Sequence, residues 1–193
     1  LTKGIGHTEC KDSELGRIPK SWKVLSILKS EITIHDGDRG NEYPKENDLK
    51  KSGYCLFLSA KNVTKSGFKF TETFFISREK DTKLRNGRLN RNDIIITTRG
   101  TVGNIAHYNE TIPFNVVRIN SGMAIIRSQS EFINSEFLYH IFTSEIIIEQ
   151  IKNVTFGSAQ PQLTIGTINE LRLPIPPLKV QQKIVEILSS IIK

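Results

Sequence analysis

The chain predicts a mixed α/β fold: a twisted, mostly antiparallel sheet with packed helices, then a C-terminal amphipathic helix of coiled-coil type. Three observations carry this. Short, β-branched apolar runs bounded by turn residues fill the middle of the chain. Apolar residues recur at helical spacing from about residue 135. A Pro-rich stop, Leu173-Pro-Ile-Pro-Pro-Leu178, precedes a second helical stripe. With 193 residues the chain can build one domain with a sizeable core, or one domain and an appendage.

Each element has its own warrant. Leu15–Val24 reads as a turn followed by a short strand or helix start, with Trp22 as a core anchor. Asp36-Gly-Asp-Arg-Gly-Asn-Glu-Tyr-Pro44 is dense in Gly, Asp and Asn, so it reads as a loop. Tyr54–Leu58 and Phe74–Ile76 read as strands. Asp93–Thr98 is the best strand, being β-branched through most of its length. Asn104–Tyr108, Val116–Ile119 and Met123–Arg127 add three more, and Gly100 and Gly103 turn a hairpin between two of them. Asn134 or Ser135 can cap a helix whose apolar positions are Phe137, Leu138, Ile141, Phe142, Ile148 and Ile151. After Pro177 a second helix begins. Val180, Ile184, Ile187 and Ile191 keep an a/d register, and Val185, Leu188 and Ile192 widen the stripe.

Composition narrows the function. Hydrophobic residues make up 37% and charged residues 24%, which places the chain among ordinary globular proteins. No apolar run is long enough to span a membrane. The start, Leu1-Thr-Lys-Gly, carries no signal-peptide pattern, and without an initiator Met it reads as beginning inside a longer protein. Two cysteines, Cys10 and Cys55, make neither a disulfide framework nor a four-ligand zinc site, so a reducing cytoplasm is the expected compartment. Net charge is +7 and is concentrated: residues 61–99 hold ten Lys/Arg against four acids, a local +6. Clustered cations are the footprint of a polyanion partner, although a solvated basic surface reads the same way.

Catalytic patterns are missing. An adenine methyltransferase needs an Asn/Asp-Pro-Pro-aromatic loop and a Gly-rich cofactor loop, and Ile175-Pro-Pro-Leu178 is apolar at both ends. A metal-dependent nuclease needs paired carboxylates, and Ser59-Ala-Lys61 lacks them. His7, His35, His107 and His140 have no ligand spacing.

Binding candidates remain. Arg39 and Asn41 are the side-chain types that bond guanine and adenine edges, within a loop that also reads as a plain turn-rich surface. Arg99, flanked by threonines at a strand end, can present its fork to phosphate or guanine. Alternatively it pairs with a core carboxylate while the glycines only turn the hairpin. Gln160 and Gln162 can reach backbone or bases, or bond their own loop. Lys61, Lys65, Lys69, Lys83, Arg85, Arg88 and Arg91 are the phosphate candidates.

Four stretches, Thr97-Thr-Arg-Gly-Thr-Val-Gly-Asn104, Ile119-Asn-Ser-Gly-Met123, Gln160-Pro-Gln-Leu163 and Pro174–Ile184, stand in an order that resembles the DNA-specificity (S) subunits of type I restriction-modification enzymes. The resemblance runs from roughly Leu15 to the C-terminus. It implies one target recognition domain, residues 1–176, and the start of the spacer helix, residues 177–193. It implies recognition of double-stranded DNA without catalysis and without a cofactor of its own. S-adenosylmethionine would sit on partner modification (methyltransferase) subunits, with the restriction subunit contacted indirectly. Whole subunits of the family carry two such domains with antiparallel helices as a ruler, so this chain reads as a half-subunit or fragment. Val180, Ile184, Ile187, Leu188 and Ile191 are then candidates for a homodimer seam. The competing expectation is a helix-mediated interaction module whose charge is incidental. A degenerate nuclease is a third.

Overall fold

In the computed structural model, residues 9–155, 157 and 160–191 are described. In chain order the strands and helices are β1 (Cys10–Ser13), β2 (Gly16–Pro19), β3 (Lys23–Ser26), β4 (Ile32–Asp36), β5 (Cys55–Leu58), β6 (Val63–Thr64), β7 (Gly67–Phe68), β8 (Phe75–Ile76), α1 (Arg78–Lys83), β9 (Asp93–Thr97), β10 (Ile105–Tyr108), β11 (Val117–Ile119), β12 (Met123–Ser128), α2 (Ser135–Phe142), α3 (Glu145–Thr155), α4 (Ile165–Glu170), β13 (Arg172–Ile175) and α5 (Leu178–Ile191).

The centre is an antiparallel sheet ordered β10-β9-β12-β4. Its strands are covered on both sides, and the sequence shows why. Ile94 and Ile96 of β9, with Ala124 and Ile126 of β12, enter one core beside Trp22, Phe137, Ile141 and Phe142. Ile95, Met123 and Ile125 enter a second core beside Leu56, Leu58, Val117 and Ile119. Alternate residues face opposite ways along a strand, so a strand covered twice must be apolar throughout. That accounts for the unbroken Ile94-Ile-Ile96 run.

The second core is closed by a three-stranded sheet, β11-β5-β8. Here β11 runs parallel to β5, the one parallel pairing among the described strands. The expected mixed fold with mostly antiparallel pairing is observed, but its strands divide among several small sheets. Two buried ion pairs fasten the layers. Arg127 forks onto Asp93, Nε–Oδ1 2.8 Å and Nη2–Oδ2 2.6 Å. Arg118 holds Asp81 of α1 through Nε and also donates to the carbonyls of Asp81, Leu84 and Asn86. Breaking such a pair by removing one partner would leave an uncompensated buried charge.

The helix expected from residue 135 onward is two helices, α2 and α3. The break has a local cause. The hydroxyls of Thr143 and Ser144 donate back to the carbonyls of Tyr139 and Ile141, which competes with continuation of the helical ladder. Asn134 is the cap, accepting from the Phe137 N–H at 2.9 Å. Six elements carry too little pattern for the sequence reading: β1, β4, β6, β7, α1 and α4. The two helices have six residues each and are capped by Ser77 and Thr164.

The last helix does dock. Gln181 is fully buried, accepting from the Asn134 N–H and donating to the carbonyls of Phe132 and Pro176. Ile184 is in the main core, with Val180, Val185 and Leu188 packed against it. Members of both expected apolar strips therefore face the body together. Ile187 is half-buried and Ile191 is 73% exposed. Ile192, His7, Ser158 and Ala159 lie outside the described residues.

Cys55 is buried, and burial, with Asp81 nearby, pushes its thiol up to about 12. At pH 8 its thiolate is therefore scarce. A thiol-alkylating reagent at that pH should modify Cys10, which is partly exposed, and spare Cys55 until the fold is opened by denaturant. Mass spectrometry of the labelled native protein checks this; rapid native labelling of Cys55 would contradict the packing of β5.

Candidate nucleic-acid interface

The candidate residues sit on loops, and the geometry of those loops begins at a turn. Asn120-Ser-Gly122 links β11 to β12, closed by the Asn120 side chain accepting from the Gly122 N–H at 2.9 Å. Three segments attach to it. The first is loop 36–45. Tyr43 Oη accepts from the Ser121 N–H at 3.3 Å, and Arg39 Nη2 donates to the Ser121 carbonyl at 3.1 Å. Gly37 lies so close to the Asn120 carbonyl that a Cβ would collide with it. The second is segment 85–87, where the Gly87 carbonyl accepts from Ile119 at 2.9 Å. The third is the end of β9: Thr98 and Arg99 both donate their backbone N–H to the Gly122 carbonyl, at 2.8 and 3.3 Å.

Asp38 couples the first two segments directly. It is only 6% exposed, and its carboxylate accepts from the backbone N–H of Gly40, Arg85 and Asn86, at 2.8, 2.7 and 3.2 Å. Burial works to raise its pKa; those backbone donors outweigh burial and leave the carboxyl below its ordinary value. Between the two segments lies a cleft of about 540 Å³, edged by Arg39, Asn41, Lys83, Arg85 and Asn86. Asn41, Lys83 and Arg85 are exposed, and among the described residues no ion pair engages Lys83 or Arg85.

The third segment gathers the two glutamines. The Leu163 N–H donates to the Thr98 carbonyl at 3.0 Å, and Arg99 and Gln162 form a β-bridge. With its amide oxygen turned toward the guanidinium, Gln162 accepts from Arg99 Nε and Nη2, each at 3.1 Å. Arg99, Gly100, Gln160, Pro161 and Gln162 border a second open cleft of about 600 Å³. The two stretches of sequence singled out at Thr97–Asn104 and Gln160–Leu163 are thus one structural unit. Arg99 has a neutral amide as its partner, not the core carboxylate that was the alternative.

The remaining cations divide. Arg91 donates to the carbonyls of Asn109, Ile112 and Phe114 and lies over the Tyr108 ring, so its guanidinium is spent inside the fold. Arg88 pairs with the buried Asp81 at 3.1 Å, and Lys61 pairs with Glu72 at 3.1 Å. Lys65 and Lys69 are exposed, and Lys65 borders a different cleft beside Val102 and Phe142. Arg39 is forked onto Asp36, Nε–Oδ2 3.0 Å and Nη2–Oδ1 3.1 Å. Sequence reasoning passed over Asp38, Asn86 and the role of the turn at 120–122. The pattern Asp38-x-Gly40 was the available signal for the first, since an Asp accepting from the N–H two residues on is a standard loop closure.

Among the described residues no group of three His, Cys, Asp or Glu side chains is placed to hold a metal ion. Nor is any helix among them long and apolar enough to cross a membrane.

Replacing Asp38 with Ala should cost about 1–3 kcal/mol, because three backbone donors lose their partner. The sign of the pH dependence follows from the lowered pKa. Asp38 contributes stability above the ordinary carboxyl range, and that contribution is lost as pH falls through the lower folded-state value. The stability gap between wild type and Asp38→Ala, measured by denaturant unfolding, should therefore close as the pH is taken well below about 4. A gap that stays constant with pH would mean the carboxylate is not the clasp.

Comparison with known proteins agrees with this architecture. A family model described as the type I restriction modification DNA specificity domain matches residues 20–193. The type I restriction enzyme MjaIX specificity subunit of Methanocaldococcus jannaschii is 29% identical over 98% of this chain and 42% of its own length. The EcoKI specificity subunit of Escherichia coli is 24% identical over 92% of this chain and 37% of its own length. Among solved structures, the HsdS subunit from Thermoanaerobacter tengcongensis superposes with a TM-score of 0.64 at 17% identity, covering 98% of this chain and 40% of that one. The chain spans less than half the length of the curated relatives it matches.

Proposed function

The chain belongs to the type I restriction modification DNA specificity domain family, and from that premise we propose that it recognises one part of a duplex DNA site through the loops gathered at Asn120–Gly122. The observation that carries this reading is their convergence. Loop 36–45, segment 83–86 and the Arg99–Gln162 unit are each bonded to one turn or to its neighbours, and exposed cations stand beside exposed amides. Cations such as Lys83 and Arg85 neutralise phosphates, while amides such as Asn41 and Asn86 have the donor–acceptor pair that reads adenine. Gln160, exposed beside Arg99, extends the same polar edge.

In this reading the chain performs no chemistry. It directs modification subunits that carry S-adenosylmethionine, and through them the restriction subunit, in the cytoplasm. Helix α5 supplies the beginning of the spacer. Selection of bound duplexes from a random pool, with modification subunits present, tests the assignment; a pool that emerges without any enriched sequence would oppose it.

Two quantitative outcomes follow. Lys83→Ala and Arg85→Ala should weaken binding to all duplexes alike, each reducing the slope of log affinity against log salt by about 0.9. Asn41→Ala should leave that slope unchanged and relax preference at one base position by about 1–3 kcal/mol. Titrations at several salt concentrations on matched and mismatched duplexes separate the two effects. Salt-independent DNA binding would instead favour an interaction module with incidental charge.

Assembly gives a third outcome. Two copies should pair through the outward end of α5, because Ile191 is 73% exposed and Ile187 is only half-covered by the body. In sedimentation, the wild type should gain mass with concentration and an Ile187→Lys, Ile191→Lys variant should not. A wild type that remains monomeric at high concentration would assign this end of the helix to another partner.

A further inference from the structure

Arg39 and Arg99 both stand beside the turn at Asn120–Gly122, but their guanidinium groups are committed differently. Arg39 gives its Nε–H and one Nη2–H to Asp36, and donates from Nη2 to the Ser121 carbonyl as well. Both Nη2 hydrogens are used, and a carboxylate in contact offsets the charge. The end of the fork, which needs Nη1 and Nη2 together, is closed.

Arg99 is the reverse case. It gives Nε–H and one Nη2–H to the Gln162 amide oxygen. Of a guanidinium's five N–H groups, three have no partner among the described residues: two on Nη1 and one on Nη2. These form the outward end of the fork, the arrangement that grips two oxygens of a phosphate or the O6 and N7 atoms of guanine. Gln162 is neutral, so the full positive charge survives. Among the described residues none that borders the cleft is acidic. A Cβ added at Gly100 would meet nothing within 4 Å, so the approach is open.

The two possible ligands differ in what they demand of the protein. Arg99 is rooted at the end of β9, its backbone fixed to Gly122 and its neighbour Thr98 fixed to Leu163. A charge rooted in the sheet suits the part of the duplex that is the same at every site, the sugar–phosphate backbone; base choice suits exchangeable loop side chains.

We infer that Arg99, aimed by Gln162, clamps one backbone phosphate irrespective of sequence, and so sets the register at which loop 36–45 meets the bases. This rests on the DNA-binding reading of this face. Gln162 acts as a positioning residue, since it touches the arginine rather than the DNA.

The test compares wild type, Arg99→Ala and Gln162→Glu on a duplex chosen by pool selection. Gln162→Glu is the informative variant. It keeps, and strengthens, the bridge to Arg99, so a merely structural pairing would be preserved, whereas a phosphate clamp would be poisoned by the added carboxylate. Both variants should bind about tenfold more weakly, lose about 0.9 from the salt slope and select the same bases as wild type. A series of duplexes, each with one neutral methylphosphonate linkage, should contain a position that weakens wild type and leaves Arg99→Ala unaffected. Thermal unfolding reports whether each variant is folded; should Arg99→Ala fail, Gln162→Glu decides alone. Wild-type affinity in Gln162→Glu, or a loss that tracks 7-deazaguanine at one base instead of a methylphosphonate, would overturn the phosphate clamp and leave DNA binding intact. A wild type that binds no duplex would overturn the DNA-binding reading, and the clamp with it.

Discussion

Double-sided burial of β9 is the constraint on which the rest of the structure depends. Residues 93–98 are all buried, with Ile94 and Ile96 in one core and Ile95 in the other. A strand in that position admits no polar side chain unless it is paired, and Asp93 obeys this through its fork with Arg127. Because β9 cannot slip by one residue without exchanging its two apolar sets, its register is fixed. Its C-terminal end therefore delivers Thr98 and Arg99 to one place. The turn at Asn120–Gly122, which joins the neighbouring strand, is delivered beside it by the pairing of Met123 with Thr97. The candidate interface is thus a consequence of core packing, extended by three residues beyond the sheet.

Charge on this protein is informative only after the buried and half-buried carboxylates have taken their share. Asp81 engages Arg118 and Arg88, Asp93 engages Arg127, and Asp36 engages Arg39. Arg91 is held by carbonyls. What stays available beside the turn is a smaller set, Lys83, Arg85 and Arg99, and its members differ in kind. Lys83 ends α1 and Arg85 follows it on the adjoining loop, both exposed. Arg99 alone combines a fixed root, a neutral partner and an unused fork. A count of Lys and Arg over residues 61–99 sees the total and cannot see this partition, since burial and pairing are properties of three-dimensional neighbours.

What was legible in the sequence has the same physical basis. The β-branched run of β9, the Gly100 and Gly103 turn and the Pro-bounded start of α5 are local signals, and each element stands where its residues imply. The helix after residue 135 was legible as helix but not as two, because the hydroxyl back-bonds of Thr143 and Ser144 interrupt the ladder without interrupting the apolar spacing. The parallel pairing of β11 with β5 was invisible, since it joins segments about 60 residues apart through contacts that leave no periodic trace. Of the candidate site, the residue types were legible and their commitments were not. Arg39 and Arg99 look equivalent as letters; Asp36 and Gln162 make them opposites.

The same reasoning gives the last helix a defined direction. A helix held only by apolar contacts can rotate or slide by small steps at modest cost. Gln181 removes that freedom: fully enclosed, it accepts one hydrogen bond and donates two, to groups on either side of the helix start. Any rotation would strand a buried amide, which is costly. Asn134, one of its partners, also caps α2 through its side chain, so α5 is registered to the helix that covers the central sheet. Through β12 and β9 that sheet leads to the turn at Asn120–Gly122. The loops gathered at that turn and the outward end of α5 are therefore joined through a continuous series of buried contacts. Apolar packing alone would not specify the angle between those loops and α5; the buried amide of Gln181 does.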